Sequence, residues 1–453
     1  MDDVEKIVMR SMTVAATGRP ALRNAVQVKK PDPVSKPFFW LTAFYFVYCA
    51  RPEDWITPLA YLPLAKITAI CAFIGLVAAT GKTKRTFRDF PFESRYLAAM
   101  IGLLYVGSLF SPIWRGGALS QTIAFSKVWI IYALTFLLIT DFVKLRKIIF
   151  LQSASVPLIC AVSIIKGHSR PRLEGVIGGI YSNPNDLAFA IVLTLPFCVA
   201  FLLTAKDVLR RLAWVFGMLI MALALVMTAS RAGFITILIS GSVCLWHFGV
   251  KGRRFFLIIG TVFSAVLLLA VAGGPLFNRL AAISGQVEDQ QQQIAYSSYE
   301  ARQYLMQRAL DGIEHYPVFG VGARNFPEYS LVWHDVHMSY LQIAVEGGIP
   351  CAILYVLFFW SGFKNLKKLR RLRDLDVHTT LFVGGLHASM VGFAIGAMFA
   401  PEAYQFFPYF AVAYTSALFA IIAEREKATE APRNLRAGVY ARFRRPDALM
   451  PVR

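Results

Sequence analysis

The sequence predicts an all-α polytopic membrane protein, and three observations predict it. Of its 453 residues, 57% are hydrophobic and only 16% charged, where soluble domains carry roughly 25% charged residues; the mean hydropathy is +0.53. The apolar residues fall in blocks of about 17–25, the length that takes a helix across a ~30 Å hydrocarbon core. The basic residues alternate between dense and sparse connections, as membrane topology demands. The alternating ten-residue pattern of a β-barrel is absent.

Twelve spans follow in order, near 38–50, 62–80, 96–113, 121–140, 148–165, 186–204, 212–229, 232–249, 255–273, 338–361, 379–399 and 405–423. With the N-terminus inside, 35 of the 47 Lys and Arg residues fall on the cytoplasmic side and 10 on the other, while Lys66 and Lys127 lie within spans. Both termini are therefore expected in the cytoplasm. The organisation is a basic N-terminal tail (1–37), spans one to nine (38–273), an external loop (274–337), spans ten to twelve (338–423) and a basic C-terminal tail (424–453). The first 36 residues lack the apolar core and cleavage site of a signal peptide.

The net charge of +20 is spread over loops and tails, which argues for topology and against a nucleic-acid partner. The C-terminal "RNLRAGVYARFRRP" either binds anionic lipid or enforces that topology. All six cysteines (Cys49, Cys71, Cys160, Cys198, Cys244 and Cys351) lie in or beside apolar runs, without disulfide or zinc spacing.

The loop between spans nine and ten is far longer than the others, and long loops in compact proteins carry function or disorder. This one reads as ordered. "SSYE" (297–300) has capping-box spacing, and "YEARQYLMQRALDGI" continues as an amphipathic helix over about 298–313 until "HYP" stops it. At about 100° per residue, Leu305, Met306, Ala309 and Ile313 surround Arg302. An arginine centred on an apolar stripe needs a carboxylate or an anionic ligand.

Several external groups could do chemistry. Arg231, in "TASRAGF", either snorkels to headgroups or presents a phosphate-binding fork to a cavity. Lys166, Arg170 and Arg172 in "KGHSRPR" form a weaker cluster. His337 opens span ten, and nearby cations would keep it neutral, as a general base must be. His334 is its neighbour and Asp335 a candidate orienting group; Tyr340 lies one turn on. Glu346 is inside the span, facing away from His337, and an intramembrane carboxylate signals function or a structural pair. In "YSNPNDLA" (181–188), Asn183 and Asn185 either cap span six or meet sugar hydroxyls; capping suffices to explain them.

"NPNDLA", "SRAG" and the block "YEARQYLMQRALDGIEHYPVFGVGARNF" leading into "HMSYLQIAVEGGIP" together resemble the O-antigen ligase and O-antigen polymerase superfamily, in order and spacing over about 180–360. The resemblance implies a lipid-dependent (GT-C-like) glycosyltransferase type of fold, with a large periplasmic loop between helices nine and ten, in the bacterial inner membrane. It implies a glycan on undecaprenyl diphosphate as donor, and a glycolipid, polysaccharide or protein as acceptor. Arg231 and Arg302 match the positions that hold the carrier diphosphate, and His337 the position that activates the acceptor hydroxyl. The implied reaction inverts the anomeric centre and uses no metal or cofactor. Met338 stands where the family often has Asn, and the glycine closing the "E-x-G" segment is expected to be replaced around Ile349-Pro350.

Ligase, polymerase and protein O-oligosaccharyltransferase differ only in acceptor; the ligase-like reading is favoured slightly. A twelve-span transporter or flippase would need a repeat between its halves, and none is visible. A metal-dependent glycosyltransferase would draw its acid from Glu53 or Asp54 in "RPEDW".

Overall fold

The computed structural model describes residues 32–79, 81–166, 172–175, 181, 183–272, 274, 290–332, 334–372 and 375–443. Among these residues the chain is helical, with no strand. The principal helices are α1 (Ser35–Ala50), α2 (Leu64–Ala78), α3 (Glu93–Phe110), α4 (Arg115–Leu138), α5 (Phe142–Lys166), α6 (Pro184–Thr204) and α7 (Val208–Met227). They continue with α8 (Arg231–Leu245), α9 (Phe255–Ala272), α10 (Gln290–His315), α11 (Phe326–Ser330), α12 (Ser339–Arg371), α13 (Val377–Gly396) and α14 (Phe406–Phe443).

Each segment expected to span coincides with a helix. Eight helices among the described residues are long and apolar enough to cross a membrane: α4 to α8, with the π-turn Trp246–Val250 extending α8, and α12 to α14. The apolar stretches Leu64–Ala78 and Phe255–Val266 are shorter. The protein is thus a multi-pass membrane protein. Its outer helices show why: α7 exposes Leu209, Leu212 and Phe216, and α9 exposes Phe256, Ile259 and Phe263. Rows of this kind are too large to leave in water. Inside, α12 packs on α3 and α14, and α13 on α6 and α8. The core between them holds fully buried aromatic residues, among them Tyr45, Tyr132, Phe358, Tyr409 and Tyr414.

α12 is two helical pieces joined at a break. Gly348 adopts φ 82, and Pro350 follows inside the helix. Proline lacks an N–H, so the carbonyls one turn earlier lose their helical donors. The external loop replaces them: Val321 donates its amide to the Val345 carbonyl at 2.8 Å, and Gly322 to that of Glu346 at 3.0 Å. In return, Ile349 donates to the Pro317 carbonyl at 2.8 Å. A Cβ on Gly348 would lie 2.1 Å from the Val318 carbonyl oxygen, so only glycine fits. The break expected to lack its glycine therefore keeps one, as Gly348.

α10 is longer than its expected 298–313. It starts at Gln290 and runs through the expected cap at Ser297, because no breaker separates the glutamines from the apolar face. Its C-terminus is at His315, the first residue of the expected "HYP" stop. Leu305 and Ala309 bury against Val321, Phe326, Val336 and Val345, with Ile313 packed alongside. Met306, expected on that stripe, is 45% exposed; it lies at the edge of the face, beyond the reach of the loop.

Candidate functional site

Three segments distant in sequence meet at one end of the bundle. The first is the turn from α7 into α8. Ala229 there takes φ 45, and Ser230 caps α8 by accepting the Gly233 amide at 3.1 Å. Asn185 Oδ1 accepts hydrogen bonds from Ser230 Oγ at 2.8 Å and Arg172 Nη2 at 3.2 Å. Arg172 Nε donates to the Thr228 carbonyl at 2.8 Å. Asn183 is the cap of α6, accepting the Asn185 amide at 2.9 Å. The two asparagines thus divide the work: one caps, and the other braces the turn that presents Arg231. Arg170 lies outside the described residues.

The second segment is α10. Arg302 is half-buried among its apolar neighbours, and its Nε is buried without a hydrogen-bond partner. Burial, and then the positive charge of Arg231, weaken its hold on its proton. Two cations close enough to repel, in a partly dry place, form a costly arrangement that an anion would relieve.

The third segment is the link 334–338 into α12. Met338 donates its amide to the Val336 carbonyl at 2.8 Å, so His337 is the apex of a three-residue turn. Val336 anchors that turn in the small core under α10. His337 Nδ1 is buried and unpartnered. Burial first, then the charges of Arg302 and His334, lower its pKa to about 4, which leaves it neutral at pH 7. His334 itself is exposed.

The remaining candidates are placed differently. Tyr340 donates to the Ala394 carbonyl of α13 at 2.9 Å, a packing bond. Ser339 ties the start of α12 to the α13–α14 connection, donating through Oγ to the Ala400 carbonyl at 2.6 Å and accepting the Glu402 amide at 2.9 Å. Glu346 is fully buried beside the Tyr404 hydroxyl, within reach of the charges of Asp335 and Arg324. Asp335 meets Arg324 Nη2 at 3.5 Å. Glu53 and Asp54 are engaged by Arg51, which bonds Asp54 twice at 2.8 Å and lies 3.7 Å from Glu53.

Three residues escaped the reading of the sequence. Arg324 had counted only as one more external cation, although "GVGARNF" places two glycines just before it, a signal of a tight turn. Asp186 had counted only as part of a motif. Glu402 carried no signal beyond its place in a short external connection. Burial and the neighbouring Asp186 carboxyl push the Glu402 carboxyl well above the usual range.

Residues 216–356 match the family model described as O-antigen ligase. That segment contains Arg231, Arg302, Arg324, His337 and Glu346. No curated protein matches the chain.

Proposed function

We propose that this chain, whose residues 216–356 match the O-antigen ligase family model, transfers a glycan from undecaprenyl diphosphate to an acceptor hydroxyl at the periplasmic face of the bacterial inner membrane. One observation carries the reading. Arg302 keeps a buried, unpartnered Nε beside a second arginine, Arg231, and beside His337, which is neutral at pH 7. A pair of guanidinium forks matches the oxygens of a diphosphate.

The chemistry then follows from position. His337 takes the proton of the acceptor hydroxyl. The acceptor oxygen bonds to the anomeric carbon from the face opposite the diphosphate, which inverts that centre. The bond from the anomeric carbon to the diphosphate oxygen breaks, and its electron pair leaves on the diphosphate. Arg231 and Arg302 stabilise that charge, and electrostatic stabilisation of a leaving group is commonly the largest catalytic contribution. The proton donor-acceptor chemistry belongs to side chains, and the reaction is proposed to need no metal.

The proposed frame is a twelve-span, GT-C-like layout with both termini cytoplasmic, the four shorter helices crossing with the eight long ones. The acceptor is proposed to be a glycolipid, with a carrier-linked repeat (a polymerase) or a protein hydroxyl as the competing acceptors of the same donor.

The test is transfer from a fluorescent undecaprenyl-diphosphate glycan in membranes, comparing wild type with Arg302→Ala and His337→Ala at matched folded amounts. Loss of product in both supports the reading. Turnover like wild type in both makes the constellation structural and brings a transporter forward.

A further inference from the structure

A second feature opens beside the site. It is a cleft of about 170 Å³ lined by Gln121, Phe125, Arg324, Tyr404, Gln405 and Phe406, with Ala124 and Pro401 completing its wall. Its walls come from the first turns of α4, the external loop and the α13–α14 connection. None of these groups has a part in the reaction derived above.

The lining identifies the class of ligand. The amides of Gln121 and Gln405 both donate and accept, as sugar hydroxyls do. Phe125 is buried beneath them, edge-on to Tyr404 with ring centroids 5.2 Å apart. Arg324 adds a cation. Its contact with Asp335, at 3.5 Å, is long where charge-assisted bonds measure about 2.7–2.9 Å, and its side chain is 41% exposed. The backbone is strained to put it there: Arg324 has φ 58, a region that non-glycine residues seldom occupy. Asn325 enforces that conformation, its Nδ2 donating to Ser111 Oγ at 2.9 Å, the Trp114 carbonyl at 3.0 Å and the Val321 carbonyl at 3.2 Å. Strain held by neighbours at one charged residue marks a functional position.

We infer that this cleft is a subsite for a sugar carrying a carboxylate or a phosphate, and that the sugar belongs to the acceptor. The assignment to the acceptor rests on the transferase reading above. Arg302 bears on His337, whereas Arg324 bears on Glu346 and Asp186, so the two cations serve different groups. Asp335, which Arg324 contacts, is two residues before His337, and their Cα atoms are therefore within about 7 Å. In the proposed reaction His337 takes the proton of the acceptor, so a cleft tied to Asp335 through Arg324 serves the acceptor.

The experiment separates binding from transfer. Full-length protein in nanodiscs is titrated by saturation-transfer NMR with methyl glucuronide, glucose 6-phosphate and methyl glucoside. The two acidic sugars are expected to bind about tenfold more tightly than the neutral one, the size of one charge-assisted contact. Arg324→Asn, whose side chain tolerates positive φ, should bring them down to the neutral level. Gln121→Ala, on an exposed helix face, should weaken all three, and Arg302→Ala should weaken none. Equal binding of acidic and neutral sugars overturns the subsite, as does a preference that survives Arg324→Asn or disappears with Arg302→Ala. In the transfer assay, methyl glucuronide should raise the KM for acceptor and not for donor. Competition against the donor instead assigns the cleft to the donor glycan and overturns the acceptor assignment. Binding that persists in a protein with no transfer activity overturns the transferase reading and leaves the subsite standing.

Discussion

Two arginines at opposite ends of the bundle show how differently one side chain can be buried. Arg85, at the C-terminal end of α4, is only 2% exposed. It donates to the carbonyls of Phe136 and Ile139 at 3.0 and 2.8 Å and to Glu424 at 2.7 Å. Those carbonyls belong to the end of α4, which lacks intrahelical donors, so Arg85 is a cap. Arg302, at the other end of the bundle, is less buried, yet its Nε has no partner and its charged neighbour is another arginine. Each keeps one buried nitrogen without a partner, Nη2 in Arg85 and Nε in Arg302; what separates them is the neighbouring charge, a carboxylate for Arg85 and a second arginine for Arg302, and like charges held together cost stability. In the proposed reaction the first arginine serves the fold and the second the chemistry.

Replacing each by alanine should therefore do opposite things. Arg302→Ala is expected to lower transfer by about 10²–10³-fold, as loss of one charge-stabilising donor does, while thermal stability holds or rises because an unpaired desolvated charge is gone. Thermal shift and single-turnover transfer on the same preparation read both. A clear loss of stability would place Arg302 with Arg85 and remove the contrast.

His337 sharpens the same comparison through pH. Its pKa of about 4 comes from burial first and the Arg302 charge second. A depressed histidine pKa leaves the base unprotonated above that value, so kcat/KM for the donor should rise with pH through about 4 and then level. Diphosphate bound at Arg302 offsets the cation that disfavours imidazolium, which raises the histidine pKa. The acid limb of kcat should consequently lie at higher pH than that of kcat/KM. Coincident limbs would mean that the donor's charge does not reach Arg302.

Much of this was legible in the sequence, for a physical reason. Spans declare themselves through apolar length, and Arg231, Arg302 and His337 stood out because topology put titratable groups on one side and because an arginine interrupted an apolar stripe. The break in α12 was half legible. Gly348 and Pro350 announce it, but the amides of Val321 and Gly322 that repair it come from a loop with no pattern of its own. Arg324 was invisible as a site residue, since its meaning depends on Asn325 reaching Ser111 and Trp114, more than 200 positions away in the chain. Local periodicity carries no information about such contacts.

Arg85→Ala tests the structural end of the comparison. It strips two helix-end carbonyls and one carboxylate of their donor, and should cost about 2–4 kcal/mol, with transfer per folded molecule unchanged. Chemical denaturation of the full chain in detergent would read the loss. A fall in specific activity at equal folded amount would show that the two ends are coupled.

The smallest effect is expected at Asn185, which touches no substrate in this scheme. Its Oδ1 gathers Ser230 Oγ and Arg172 Nη2 and so fixes the turn that aims Arg231. Asn185→Ala removes one acceptor worth about 1 kcal/mol, so the KM for donor should rise roughly fivefold with kcat near wild type. Asn185→Asp keeps an oxygen in the same place and adds charge toward Arg172, so it should restore most of the affinity. If aspartate fails where asparagine works, the amide nitrogen matters too, and Asn185 would then face the glycan rather than the protein. That outcome would move it from the bracing class of Arg85 into the class of Arg302.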